Sequence, residues 1–113
     1  MVRAMILKPG ELAEVREIEL NDLTGLIGGK LKFSKPFRDV IVASNDDNGK
    51  MKLNRVVRGK RGDIIGFYTG PMVILGRAPC GEIMSLTDRQ VICLLMEFGD
   101  PDVFRDEDIE EMF

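Results

Sequence analysis

The chain has 113 residues, 44% of them apolar and 31% charged, with a formal net charge of −3 and no histidine. These are values of a single globular domain that can bury about two thirds of its unfolded surface without metal or disulfide staples, and no apolar run approaches the roughly 20 residues that a membrane span needs. The missing histidine removes the commonest general base and zinc ligand, and the modest net charge hides a segregation: residues 1–99 hold fifteen basic and twelve acidic groups, residues 100–113 one arginine and seven acids.

Residues 2–8 are apolar and partly β-branched and end at Pro9-Gly10, which predicts a strand and a turn. In residues 12–20 the spacing of Leu12, Val15 and Ile18 suits a helix, while the β-branched pair and the Ile18-Glu19-Leu20 alternation suit an edge strand; strand is preferred. Asn21-Asp22 can cap a short helix with Leu23, Leu26 and Ile27 on its apolar side, closed by Gly28-Gly29. Lys30-Leu31-Lys32-Phe33 alternates as a half-buried strand does, up to Pro36. Val40–Ala43 and Met51–Leu53 flank a turn-forming segment ending in Asn48-Gly49, so residues 39–57 are expected to form an antiparallel hairpin. Residues 63–68 and 72–76 resume strand character around a Gly70-Pro71 bend. Thr87 with Gln90 makes a capping box, with Ser85 and Asp88 as an alternative register. The helix that follows, residues 87–98, is expected to bury Val91, Leu94, Leu95 and Phe98 and to end at Gly99 and Pro101. The expected class is α+β: five or six short, mainly antiparallel strands with a short helix near 22–28 and a packed helix at 87–98, in one domain of residues 1–99 followed by an acidic tail, 100–113.

Motifs for chemistry fail on inspection. Gly25–Lys30 resembles a phosphate-binding loop, but Thr24 stands where the first glycine belongs and Leu31 where the magnesium hydroxyl belongs. Ser44–Gly49 resembles a calcium loop, but its first place is Ser44 and its twelfth, where a bidentate glutamate belongs, is Arg55. Cys80 and Cys93 lack a histidine to activate them or to complete a zinc set, and are expected to be free thiols. No catalytic residue, metal or cofactor is therefore expected, and the short apolar stretch at the N-terminus, unlike a signal peptide, points to the cytoplasm.

The feature that competes as a functional site is the run Lys50, Lys52, Arg55, Arg58, Lys60 and Arg61, six bases with no acid between residues 50 and 61. Such a cluster on a hairpin and its loop suits a phosphate backbone or an acidic protein surface, although no aromatic residue interleaves for base stacking. In the tail, Phe104, Ile109, Met112 and Phe113 suit docking onto a partner or a second copy of the chain, and the tail's acids suit shielding of the basic loop.

The order of these pieces carries a resemblance. Lys8-Pro9-Gly10 after a strand, Glu14–Ile18, Ile27-Gly28-Gly29, Asn48-Gly49-Lys50, Asn54-Arg55, Asp63–Gly66 and a Ser85–Asp88 helix start resemble, over residues 2–98, a small uncharacterised domain of bacteriophages, mobile elements and gut bacteria. The resemblance implies a small α+β domain of phage-like origin and little chemistry. The expectation is a non-enzymatic accessory protein of a phage or mobile element that binds a nucleic acid, another polyanion or a host protein, for instance as a defence inhibitor, with homo-oligomerisation through the tail as an option and no membrane partner. The alternative is a small-ligand or nucleotide site at the start of the 87–98 helix.

Overall fold

The structure is a computed structural model that describes residues 1–35, 39–45, 53–58, 61 and 63–100. Three segments carry near-continuous apolar runs: β1 (Val2–Leu7), β4 (Val40–Asn45) and β7 (Met72–Arg77). A strand reads this way when both its faces are covered. These three form the middle of an antiparallel sheet in the order β2-β1-β7-β4-β3, with β2 (Glu14–Ile18) and β3 (Leu31–Ser34) at its edges. A two-residue strand, β8 (Ile83–Met84), continues the line of β1 by pairing with Gly76 and Arg77 of β7, a strand too short for its sequence to announce.

The register sorts side chains into two cores. Met5, Ile74 and Val42 lie opposite one another across β1, β7 and β4, as do Ile6, Val73 and Ala43 one step along. Because successive side chains point to opposite faces, the first row faces one way and the second the other. Ile6, Val73 and Ala43 join Ile18, Leu23 and Ile27 under the short helix α1 (Leu23–Ile27). Met5, Ile74 and Val42 join Leu86, Leu94 and Phe98 under the longer helix α2 (Asp88–Phe98).

Both helices end and begin for local reasons. Gly28 adopts φ +79° and its amide donates to Thr24 O, so the glycine pair at 28–29 is a helix stop. Asp22 does not cap α1 with its side chain; its carboxylate accepts from the Glu19 amide and closes a single 3₁₀ turn, Leu20–Asp22. At α2 the expected box forms in full: the Gln90 amide donates to Thr87 Oγ1 at 3.1 Å and the Thr87 amide to Gln90 Oε1 at 2.8 Å. The buried stripe of α2, however, is Leu94 and Phe98 with Val91 half-buried, and Leu95 is 40% exposed. Positions 91, 94 and 98 already centre on the sheet, which turns Leu95 to the flank.

Among the described residues, β4 and β5 do not pair as the expected hairpin of residues 39–57 requires. Both edges of β4 are taken, by β3 and β7, and β5 (Leu53–Arg58) pairs instead with β6 (Ile64–Thr69) in a separate two-stranded ribbon. The turn residues Asn48-Gly49 lie outside the described residues. Gly70 at φ +69° and Pro71 return the chain from the ribbon to the sheet.

Candidate polyanion-binding face

Of the basic run of residues 50–61, the structure describes Arg55, near the start of β5, and Arg58 and Arg61, at and beyond its end. At its start a register shift between Leu53 and Arg55 marks a bulge, which lets Asn54 and Arg55 both turn inward, against the usual alternation. Asn54 Nδ2 donates to Leu7 O and Gly70 O, both at 2.8 Å. Arg55 has no exposed surface: its Nε donates to Phe98 O at 3.1 Å, Nη2 to Glu11 O at 2.6 Å, and Nη1 to Asn54 Oδ1 at 2.7 Å, with a longer contact to Lys8 O. One guanidinium thereby ties the ribbon to the end of α2 and to the β1–β2 connection, which also bonds there through the Ala13 amide to Gly99 O. Arg55 is thus not part of any basic face. Its planar fork of donors reaches the Phe98 and Glu11 carbonyls and the Asn54 side chain at once.

The other end of β5 is different. Arg58 is exposed opposite Ile64, and Arg61 is exposed in the connection between β5 and β6. Lys50, Lys52 and Lys60 lie outside the described residues, as do Phe104, Ile109, Met112 and Phe113.

The fold adds basic residues that the sequence reading passed over. Lys30, Lys32 and Lys35 are exposed along the edge strand β3 and the residues flanking it, with Phe33 among them 48% exposed. Ser34, next to Phe33, meets the ribbon: its hydroxyl and that of Tyr68 on β6 lie 2.7 Å apart. Burial raises the Tyr68 phenol above its ordinary pKa of 10.0, and the hydrogen bond to Ser34 opposes this more weakly. Lys32 and Ser34 point toward the face that carries the ribbon, Leu31 and Phe33 toward the face of α1, so the edge presents cations to one side and an aromatic ring to the other. The signal was present in the sequence, since residues 23–38 contain Lys30, Lys32, Lys35 and Arg38 and no acid. In the sequence the same alternation reads first as a half-buried strand. The opposite edge is its inverse: residues 11–22 hold Glu11, Glu14, Glu17, Glu19 and Asp22 against Arg16.

The remaining motifs resolve into structure. Ser44 and Asn45 of the calcium-like stretch are buried in β4. The start of α2 supplies its own partners, because Arg3 Nε and Nη2 donate to Leu86 O and Nη1 to the Asp88 carboxylate at 2.7 Å, placing an acid where a bound anion would sit. Cys80 and Cys93 are exposed, free thiols. Among the described residues no group of three or more Cys, Asp or Glu side chains is placed to hold a metal, and no helix is long and apolar enough to cross a membrane.

Residues 2–99 match the model of a family described as a domain of unknown function, DUF3846. The chain belongs to that family. No curated protein and no solved structure matches it. Within this DUF3846 chain the matched segment contains the whole sheet, the ribbon and α2, and so both the buried arginine and the exposed cations.

Proposed function

We propose that this domain acts by binding a single-stranded nucleic acid on the face where the β3 edge meets the β5–β6 ribbon. The supporting observation is the 2.7 Å contact between Ser34 and Tyr68, which joins the lysines of β3 to the ribbon whose outer end carries Arg58 and Arg61. Neither set alone is a strong electrostatic footprint. Together they form a basic side on a chain whose opposite sheet edge is acidic, the asymmetry that steers a polyanion to one approach. Phe33, on the α1 side of the same edge strand, supplies an exposed aromatic ring that a flexible single strand wrapping the β3 edge reaches and a stiff duplex, whose bases are already stacked, does not. The role fits an accessory protein of a phage or mobile element working in the cytoplasm of a bacterial host, without catalysis.

The test is fluorescence anisotropy of a labelled single-stranded oligonucleotide titrated with the full chain. Reversing Lys32, Lys35, Arg58 and Arg61 to glutamate is expected to abolish binding. Phe33→Ala is expected to weaken it about 5- to 100-fold, the range for loss of one stacking platform. Wild-type affinity in the fourfold variant, with its circular dichroism unchanged, would overturn the proposal and leave a host-protein surface as the next reading.

A further inference from the structure

Helix α2 covers the sheet with one side and leaves an apolar surface on the other. Ile92 is 60% exposed, Leu95 40% and Met96 85%, and Cys93 between them is also exposed. At 100° per residue the outward line of the helix runs through Arg89, Ile92, Cys93 and Met96, spaced i, i+3, i+4, i+7, a second stripe opposite Val91, Leu94 and Phe98. A helix with apolar residues on both sides is ordinarily covered on both, and three large exposed side chains within little more than one turn lie together rather than scattered over the surface.

The charges at the ends of this stripe argue for one occupant. Arg89, exposed, stands at the N-terminal end, and Glu97 and Asp100, both exposed, stand at the C-terminal end. A stripe that is basic at one end, apolar in the middle and acidic at the other complements itself when two copies lie antiparallel. Each arginine then meets the acids of the other copy, and the two helix dipoles oppose. We propose that the α2 faces of two copies of this chain pack antiparallel about a two-fold axis near Cys93, with Ile92 and Met96 as the apolar centre. The face is the outer side of α2 and uses none of the β3 or ribbon residues, so it stands or falls independently of nucleic-acid binding.

Light scattering of the full chain measures the arrangement. The wild type is expected to show twice the 12.7 kDa chain mass at tens of micromolar. Ile92→Asp, and separately Met96→Lys, change exposed positions and are expected to give monomers with unchanged circular dichroism. The discriminating experiment is charge exchange. Arg89→Glu alone is expected to weaken the dimer at least tenfold, and Arg89→Glu combined with Glu97→Lys and Asp100→Lys to restore it. In a Cys80→Ser background, a thiol cross-linker of about 10 Å reach, the usual separation of packed helices, is expected to trap a Cys93-linked dimer. A monomeric wild type, a dimer indifferent to Ile92→Asp and Met96→Lys, or a failure of the exchanged charges to restore association would each overturn the proposal. A full chain that is monomeric and dimerises only when residues 101–113 are removed would overturn it as well, assigning the face to the chain's own C-terminal segment.

Discussion

The two ends of strand β5 carry arginines three residues apart, and they do opposite things. Arg55 is enclosed and spends its donors on the carbonyls of Glu11 and Phe98 and on Asn54, whereas Arg58 and the neighbouring Arg61 are exposed. A run of basic residues is therefore not a unit of function. What separates the two ends is the bulge at Asn54, which turns two consecutive polar side chains into the body, after which Arg58 and Arg61 are exposed.

This contrast breaks most visibly at Arg55. Arg55→Ala removes a fully buried side chain together with its bonds to Phe98 O, Glu11 O and Asn54 Oδ1, and is expected to destabilise the domain by about 3 to 5 kcal/mol, read by urea denaturation. Arg55→Lys is expected to recover little, because a single ammonium cannot span the same carbonyls. A cost below about 1 kcal/mol would mean that the ribbon is not anchored through this residue.

The same logic separates two adjacent leucines of α2. Leu94→Ala is expected to cost about 2 to 5 kcal/mol and Leu95→Ala less than about 1 kcal/mol, despite identical chemistry, because only the first opens a cavity. Equal losses would place Leu95 in the core and remove one side of the outward stripe.

Tyr68→Phe, at the junction of β3 and the ribbon, is expected to cost about 1 kcal/mol through the lost hydroxyl contact with Ser34. The phenol also adds a pH signature. Its folded pKa lies above the unfolded value of 10.0, so the folded state holds the proton more tightly. Stability is then unaffected by this group below about pH 10 and falls as pH rises above it, and Tyr68→Phe removes that part of the fall. A wild type and variant with parallel stability curves above pH 10 would mean that the hydroxyl is not buried at the junction.

At the exposed end, Arg58→Glu with Arg61→Glu is expected to change stability by less than about 0.5 kcal/mol while weakening nucleic-acid binding. A loss of stability comparable to that of Arg55→Ala would erase the distinction between the two ends.

How much of this could be read from the sequence depended on how local the physics was. The Thr87–Gln90 box, the Gly28 stop and the strand at residues 2–7 are decided by residues within one turn or one strand of each other, and their expected positions agree with the fold. The pairing of β4 was not local: Val40–Ala43 is apolar enough to sit between any two strands, and its true neighbours, β3 and β7, lie on either side of it in sequence, while the Asn48-Gly49 signal pointed to β5. Leu95 was misplaced because i, i+3, i+4, i+7 spacing defines a stripe without defining its centre. The candidate site was legible only in part. Arg58 and Arg61 stand exposed as the basic run implied, Arg55 could not be told from them without knowledge of the bulge, and the part proposed for Lys30, Lys32, Phe33 and Lys35 rests on the Ser34–Tyr68 contact between β3 and the ribbon, which no local pattern announces.

The most direct test of a basic face shared by β3 and the ribbon is the salt dependence of wild-type affinity for a labelled single-stranded oligonucleotide, measured by anisotropy. Four cations engaging phosphates predict a linear fall of log affinity with log salt at a slope of about −3, about half of it lost when Lys32 and Lys35 are replaced by glutamine. No binding at low salt, or a slope near zero that those two substitutions leave unchanged, would contradict the account.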